Sequence, residues 1–226
     1  MRYILINTLF ICVLLSEKLP NDVRWVVNSK EYEALCHQVY NQAKKDITDL
    51  NNIFKTTYYY PNNPDLNLGV VVMDLDETVL DNSQYQIELY EKNETFNMES
   101  WAAWVEREEA ELVPGVYDYI SLLREYNIKI IFISNRMHER LKATKNNMRK
   151  LNIFSDNDIY LLRKDKQDKK DVRREEIYTA TGRMKNQGPY RVIQYFGDAM
   201  GDFPDKGNDK FGVDQFILPN PMYGKW

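Results

Sequence analysis

Asp74 and Asp76 stand one residue apart in the run Asp74-Leu75-Asp76-Glu77-Thr78, directly after the apolar stretch GVVVM. Two carboxylates on so short a loop suit the hydrolysis of a phosphate monoester. That reaction needs a nucleophile, a proton for the leaving oxygen and positive charge to offset the dianion. Asp74 can attack phosphorus and form a mixed anhydride that water then cleaves, splitting one hard step into two easier ones. Asp76, when protonated, can donate to the leaving oxygen and later deprotonate the attacking water.

Carboxylates facing a phosphate also repel it, by roughly 4 kcal/mol per unit pair at about 4 Å and an effective dielectric of 20. A hard cation removes that cost, and Mg²⁺ suits one or two carboxylates, a backbone carbonyl, waters and the substrate phosphate. Asp198 is the expected further carboxylate ligand beside Asp74, with Asp202 supporting it from behind. Ser134, ending the run Ile-Ile-Phe-Ile, offers a hydroxyl and nearby backbone N–H groups to phosphoryl oxygens. Thr78 and Asn135, in the same two loops, are the expected substrate-binding neighbours. A lysine of the pair Lys169-Lys170 can stabilise charge on both Asp74 and the phosphoryl group.

These residues share a position because of the elements around them. The stretch 69–75 (GVVVMDL), apolar and rich in β-branched residues up to Asp74, reads as a strand buried on both faces. Further strands are expected at 128–133, 159–162, 191–196 and 216–218. Helices are expected at 116–126, at 139–151 and in the charged run after 163. Upstream, Ser29 is an N-cap for a helix whose apolar stripe is Tyr32, Leu35, Val39, Ala43, Ile47 and Leu50. Residues 60–67, rich in proline and asparagine, are a loop, and 83–107 hold two short helices with Trp101 and Trp104. Strands alternating with helices of this length mean an α/β fold, a Rossmann-like parallel sheet with helices on both faces. Ligands of such sheets bind beyond the carboxyl ends of the strands. Asp74, Asp76, Ser134, the lysine pair and Asp198 all follow expected strands.

The chain has 226 residues, 43% apolar and 28% charged, which suits one globular domain over 21–226 with cap elements at about 83–112. A net charge of −4 argues against a nucleic-acid polymer as partner, which calls for a basic stripe. Small phosphate esters remain, because a metal and one or two lysines reverse the local field in a cleft. Residues 1–20 read as an export signal: Arg2, an apolar run over 3–15, then a polar break. Export implies a periplasmic, secreted or outer-membrane-associated protein. Phe10 and Ile11 before Cys12 argue against a lipid anchor there, and Cys36 is expected to be a buried, inert thiol.

The segments VVVMDLDETVLDN, FISNR, RKDKQDKKDVRR and YFGDAMGDF resemble the four ordered motifs of the haloacid dehalogenase superfamily. With WVVNSKEYEALCHQVYNQAKKD, ELVPGVYDYI and ILPNPMYGKW, the chain from 23 to 226 resembles the bacterial class C nonspecific acid phosphatases, a group that includes lipoprotein 5′-nucleotidases. The resemblance implies a Rossmann-like core with a small helical cap, Mg²⁺, an acidic optimum and, often, a homodimer. Asp74 would be nucleophile, Asp76 acid and base, and Asp74, Asp198 and the Asp76 carbonyl the metal site. The motif lysine matches Lys169 in one alignment and Lys170, three before Arg173, in another, of which the second is preferred. Phe96 and Tyr223 would sandwich a nucleobase above the phosphate. Three alternatives stay open: a phosphatase dedicated to one metabolite, a phosphotransferase, and a storage or binding protein on the same scaffold.

Overall fold

Val70–Met73 (β1) has no polar side chain and is buried along its whole length. Such a strand is stable only between neighbours on both edges and layers on both faces. A computed structural model describes residues 19–57, 69–204 and 207–224 and gives β1 both. The expected export signal, up to residue 18, and the loop at 60–67 lie outside the described residues.

Lys129–Met137 (β4), Ile159–Arg163 (β5), Val192–Gly197 (β6) and Gln215–Ile217 (β7) complete a five-stranded sheet in the order β5-β4-β1-β6-β7. Every pairing in it is parallel. Alternation along β1 divides the core in two. Val71 and Met73 join a cluster with Tyr40, Phe132 and Phe196, while Val70 and Val72 join Ile131, Leu161 and Ile177 on the other face. Lys30–Thr57 (α2), Val116–Glu125 (α5) and Leu141–Lys150 (α6) cover the first face, and Lys170–Thr179 (α7) the second. The chain is thus α/β, with a parallel sheet between helices.

Two helices, Ser83–Glu91 (α3) and Met98–Arg107 (α4), lie between two short strands, Leu80–Asp81 (β2) and Glu111–Leu112 (β3). β2 and β3 pair antiparallel and so clasp the two-helix insertion at its base, next to the loop after β1. A first short helix, Asn21–Asn28 (α1), precedes α2.

Ser29 does cap α2: the Tyr32 N–H donates to its Oγ at 3.0 Å. The apolar stripe differs from expectation, because Leu35 is 42% exposed while Cys36 and Tyr40 are fully buried. The buried set Tyr32, Cys36, Tyr40, Ala43 and Ile47 follows steps of four and three, and Leu35 falls one position off that face. Burial pushes the Cys36 thiol up to about 12, as befits an inert side chain. β4 also runs four residues past its expected end, with a register irregularity between Ser134 and Met137. Ser134, Asn135 and Arg136 therefore sit on a disturbed strand end instead of a free loop.

Candidate active site

β1 and β6 end side by side, and the Asp74 N–H donates to the Phe196 carbonyl at 2.9 Å, so Asp74 starts in register with the sheet. The next residues turn sharply. The Leu75 carbonyl accepts from the N–H groups of Val79 and Leu80, both at 2.8 Å, and Glu77 takes a left-handed φ of 55°. This turn directs Asp74 and Asp76 to different partners.

Asp74 meets α7. Lys170, first residue of that helix, places Nζ 2.6 Å from Asp74 Oδ1 and 2.5 Å from Asp202 Oδ1. Lys169, one position earlier, is exposed, and of the pair it is Lys170 that meets Asp74. Asp198, just past β6, accepts from Asn220 Nδ2 at 2.7 Å. Carboxylate oxygens of Asp74, Asp198 and Asp202 all lie within 4.8 Å of one another.

One ammonium cannot neutralise three carboxylates, of which Asp74 and Asp202 are buried and Asp198 half-buried. Burial pushes Asp74 well above the usual range even though Lys170 opposes it, with Asp202 and Asp198 adding to the rise. Burial likewise pushes Asp198 up to about 6, helped by Asp202. Lys170 behaves oppositely: burial works against its charge, but Asp74 and Asp202 outweigh burial and hold it raised. The excess negative charge and the all-oxygen donor set fit a hard divalent cation.

Sequence spacing assigns Asp202 a supporting place, whereas the structure brings its carboxylate into the cluster itself. The cause is the single 3₁₀ turn Met200–Asp202, closed by the Ala199 N–H donating to Asp202 Oδ2 at 3.0 Å. Gly197 makes room for this turn, since a Cβ there would lie 2.3 Å from Asp202 Cβ. Gly197→Ala is therefore expected to destabilise the fold by about 1–3 kcal/mol, the usual cost of overpacking. Chemical denaturation checks this, and an unchanged midpoint would show that Asp202 does not pack against residue 197.

Asp76 turns the other way, towards β4. Its Oδ1 accepts from Arg136 Nε at 2.9 Å and Asn82 Nδ2 at 3.1 Å, with Arg136 Nη2 at 2.8 Å. Its Oδ2 is 3.4 Å from Ser134 Oγ. Ser134 is fully buried, and its carbonyl accepts from Arg173 Nη1 at 2.6 Å. Asn135 is exposed, with Oδ1 accepting from Arg173 Nη2 at 2.9 Å, so α7 anchors both residues as well as supplying Lys170.

Thr78 lies beneath the turn, fully buried, with Oγ1 unpartnered and its carbonyl accepting from the Tyr40 hydroxyl at 2.6 Å. Phe96 is 57% exposed between α3 and α4, its ring 6.3 Å from that of Trp101. Tyr223, 37% exposed, lines a cavity of about 520 Å³ with Asp198, Met200, Leu218 and Asn220.

Sequence reasoning placed Arg136 with Ser134 and Asn135 among the phosphate-competent groups after a strand but gave it no specific role, and it passed over Asn82 and Asn220. Arg136 had a signal: it stands two residues after Ser134, hence on the same side of a strand. Asn82 and Asn220 sit in loops, where spacing says nothing about direction.

Residues 12–226 match the profile of the haloacid dehalogenase (HAD) superfamily, subfamily IIIB (acid phosphatase). The class C acid phosphatase from Bacillus anthracis superposes with a TM-score of 0.71 at 25% identity, over 93% of this chain and 86% of its own. The crystal structure of a class C acid phosphatase from Bacillus anthracis with tungstate bound superposes equally well, at 26% identity and the same coverage. Among curated proteins, a stem 31 kDa glycoprotein and a stem 28 kDa glycoprotein of Glycine max are 25% and 26% identical over 186 and 181 residues. Each alignment spans 78% of this chain and 68% of the relative.

Proposed function

This chain belongs to the acid phosphatases of HAD subfamily IIIB, and we propose that it hydrolyses small phosphate monoesters through a phosphoryl group carried on Asp74. The observation that carries this reading is the Lys170–Asp74 contact of 2.6 Å at the carboxyl end of β1, on a carboxylate that also clusters with Asp198 and Asp202. Tungstate, bound in the structure from Bacillus anthracis, is a tetrahedral oxyanion like phosphate, which favours the same ligand chemistry here.

In this scheme Asp74 attacks phosphorus while Asp76 gives a proton to the leaving alkoxide. Asp76 then takes a proton from the water that cleaves the aspartyl phosphate, and Asp74 leaves as carboxylate. Ester plus water thus becomes alcohol plus phosphate, and no proton is lost overall. Lys170 holds Asp74 and offsets charge on the phosphoryl oxygens, which Ser134 and Asn135 contact. Asp74, Asp198 and Asp202, with the Asp76 carbonyl, are the residues that would hold Mg²⁺. When bound, such a cation supplies the remaining positive charge to the transferring group. Rapid acid quench during turnover should trap phosphate on Asp74, identified by peptide mass. Inversion of configuration at phosphorus, the mark of direct attack by water, would sink the scheme.

Nucleoside 5′-monophosphates are the proposed good substrates, with Tyr223 stacking on the base. Tyr223 supports this by its exposed ring in the cavity shared with Asp198, and Phe96 by its exposed ring on the helical insertion. Stacking on an aromatic side chain is worth roughly 1–3 kcal/mol per base, so Tyr223→Ala should lower kcat/KM for a nucleotide by about 5- to 150-fold. Glycerol phosphate has no ring and should lose little. Equal losses on both substrates would make the tyrosine purely structural. The apolar run at 3–15 supports export of the protein, which N-terminal sequencing of the mature chain tests.

A further inference from the structure

We propose that Arg136 is a positioning residue that makes Oδ2 of Asp76 the proton-carrying oxygen. The inference rests on the proposed acid and base role of Asp76.

The two oxygens of the Asp76 carboxylate are unequally bonded. Asp76 Oδ1 is surrounded by three nitrogens: Arg136 Nε at 2.9 Å, Arg136 Nη2 at 2.8 Å and Asn82 Nδ2 at 3.1 Å. A carboxylate oxygen has about two good acceptor sites, so Oδ1 is saturated and has no room for a proton. Among the described residues Oδ2 has only Ser134 Oγ, at a weak 3.4 Å. A proton on Asp76 therefore sits on Oδ2, and carboxyl rotation that would exchange the two oxygens breaks three contacts.

Arg136 is itself held on several sides. It is 1% exposed, Nη1 donates to Thr144 Oγ1 and Nη2 to Asn82 Oδ1, both at 3.3 Å, and its guanidinium lies 5.7 Å from the Trp101 ring centre. Asn82 Oδ1 also accepts from the Trp104 indole at 2.9 Å. Two tryptophans of α4 thereby brace the pair that orients Asp76. The Arg136 side chain bonds to Asp76, Asn82 and Thr144, on the far side of the turn from the Asp74–Lys170 contact, which separates its role from metal binding.

Orientation of the acid matters most when the leaving group needs its proton. General acid catalysis is worth about 10²–10⁴-fold, and little of it is needed by a leaving group as stable as p-nitrophenolate. In Arg136→Gln, kcat/KM, which reports only the steps through departure of the alcohol and not the later hydrolysis common to both substrates, should fall by about 100-fold or more for an alkyl phosphate and by less than about 10-fold for p-nitrophenyl phosphate. Arg136→Lys keeps the charge but reaches Oδ1 with one nitrogen only. It should show the same inequality in smaller measure, about 3-fold or more between the substrates, and it decides the matter if the glutamine variant does not fold. Asp76→Asn is the control and should show the largest inequality. Equal losses on the two substrates in the folded arginine variants, with Asp76→Asn still discriminating, would overturn the positioning role alone. Equal losses in Asp76→Asn would overturn the acid role, and the positioning role with it.

Discussion

Asp74→Asn is expected to abolish turnover while leaving the protein folded and at least as stable as the wild type. An amide oxygen cannot form the aspartyl phosphate, so kcat should drop on the order of 10⁴-fold or more, the scale seen when an enzyme loses its nucleophile. Stability moves the other way for an electrostatic reason. Asp74 is buried among Asp198 and Asp202 with one lysine between them, so removing its charge relieves repulsion. Lys170 keeps Asp202 as partner at 2.5 Å and is not stranded. Phosphate release and a thermal melt measure both halves. A variant retaining more than a few per cent of kcat would rule out the covalent scheme. A variant that loses several degrees in Tm would mean that the carboxylate is a structural ion-pair member and that its loss of activity says nothing about chemistry.

How much of this was legible in the sequence depends on which physical signal each residue leaves. β1 was plain because four successive apolar, β-branched or unbranched residues without a polar break are rare outside a doubly covered strand. From β1, β4 and β6 followed the placement of Asp74, Ser134 and Asp198 at carboxyl ends, since strand ends are where periodicity stops. Helix phase was less legible. Leu35 and Cys36 are both apolar, and only packing against the sheet side decides that Cys36 is inside. Lys169 is the extended N-cap of α7 and Lys170 its first helical residue, and no pattern in so charged a segment fixes which of the two faces Asp74.

Asp202 was the harder case. Its direction comes from a three-residue 3₁₀ turn and from the missing side chain of Gly197, and a turn of that length has no periodicity to find. The network around Asp76 was hidden for a related reason. Asn82, Trp104 and Arg136 are 22 to 54 residues apart in hydrogen-bonded pairs, so they are neighbours only in the tertiary structure, where α4 and β4 supply two of the three.

Removal of divalent metal is the second large effect expected. Chelation should lower activity by about 100-fold or more, the scale of losing the main offset to developing charge, and Mg²⁺ should restore it. The reason lies in charge arithmetic at one place. Three carboxylates within 4.8 Å and one ammonium leave two uncompensated charges before any phosphate enters. A substrate dianion doubles that excess, and each like-charge pair at about 4 Å costs roughly 4 kcal/mol at an effective dielectric of 20. The same arithmetic gives a readout free of catalysis. A ligand at about 100 times its Kd stabilises by about 2.7 kcal/mol, which for 150–250 residues moves Tm by about 5–11 °C. Mg²⁺ should raise the wild-type Tm by that much. Asp198→Asn and Asp202→Asn should melt at or above the metal-free wild type, because each removes repulsion, and should respond weakly to Mg²⁺. Full activity in protein shown metal-free by elemental analysis would dismiss the cation. A Tm shift that survives both substitutions would instead locate the cation away from this cluster.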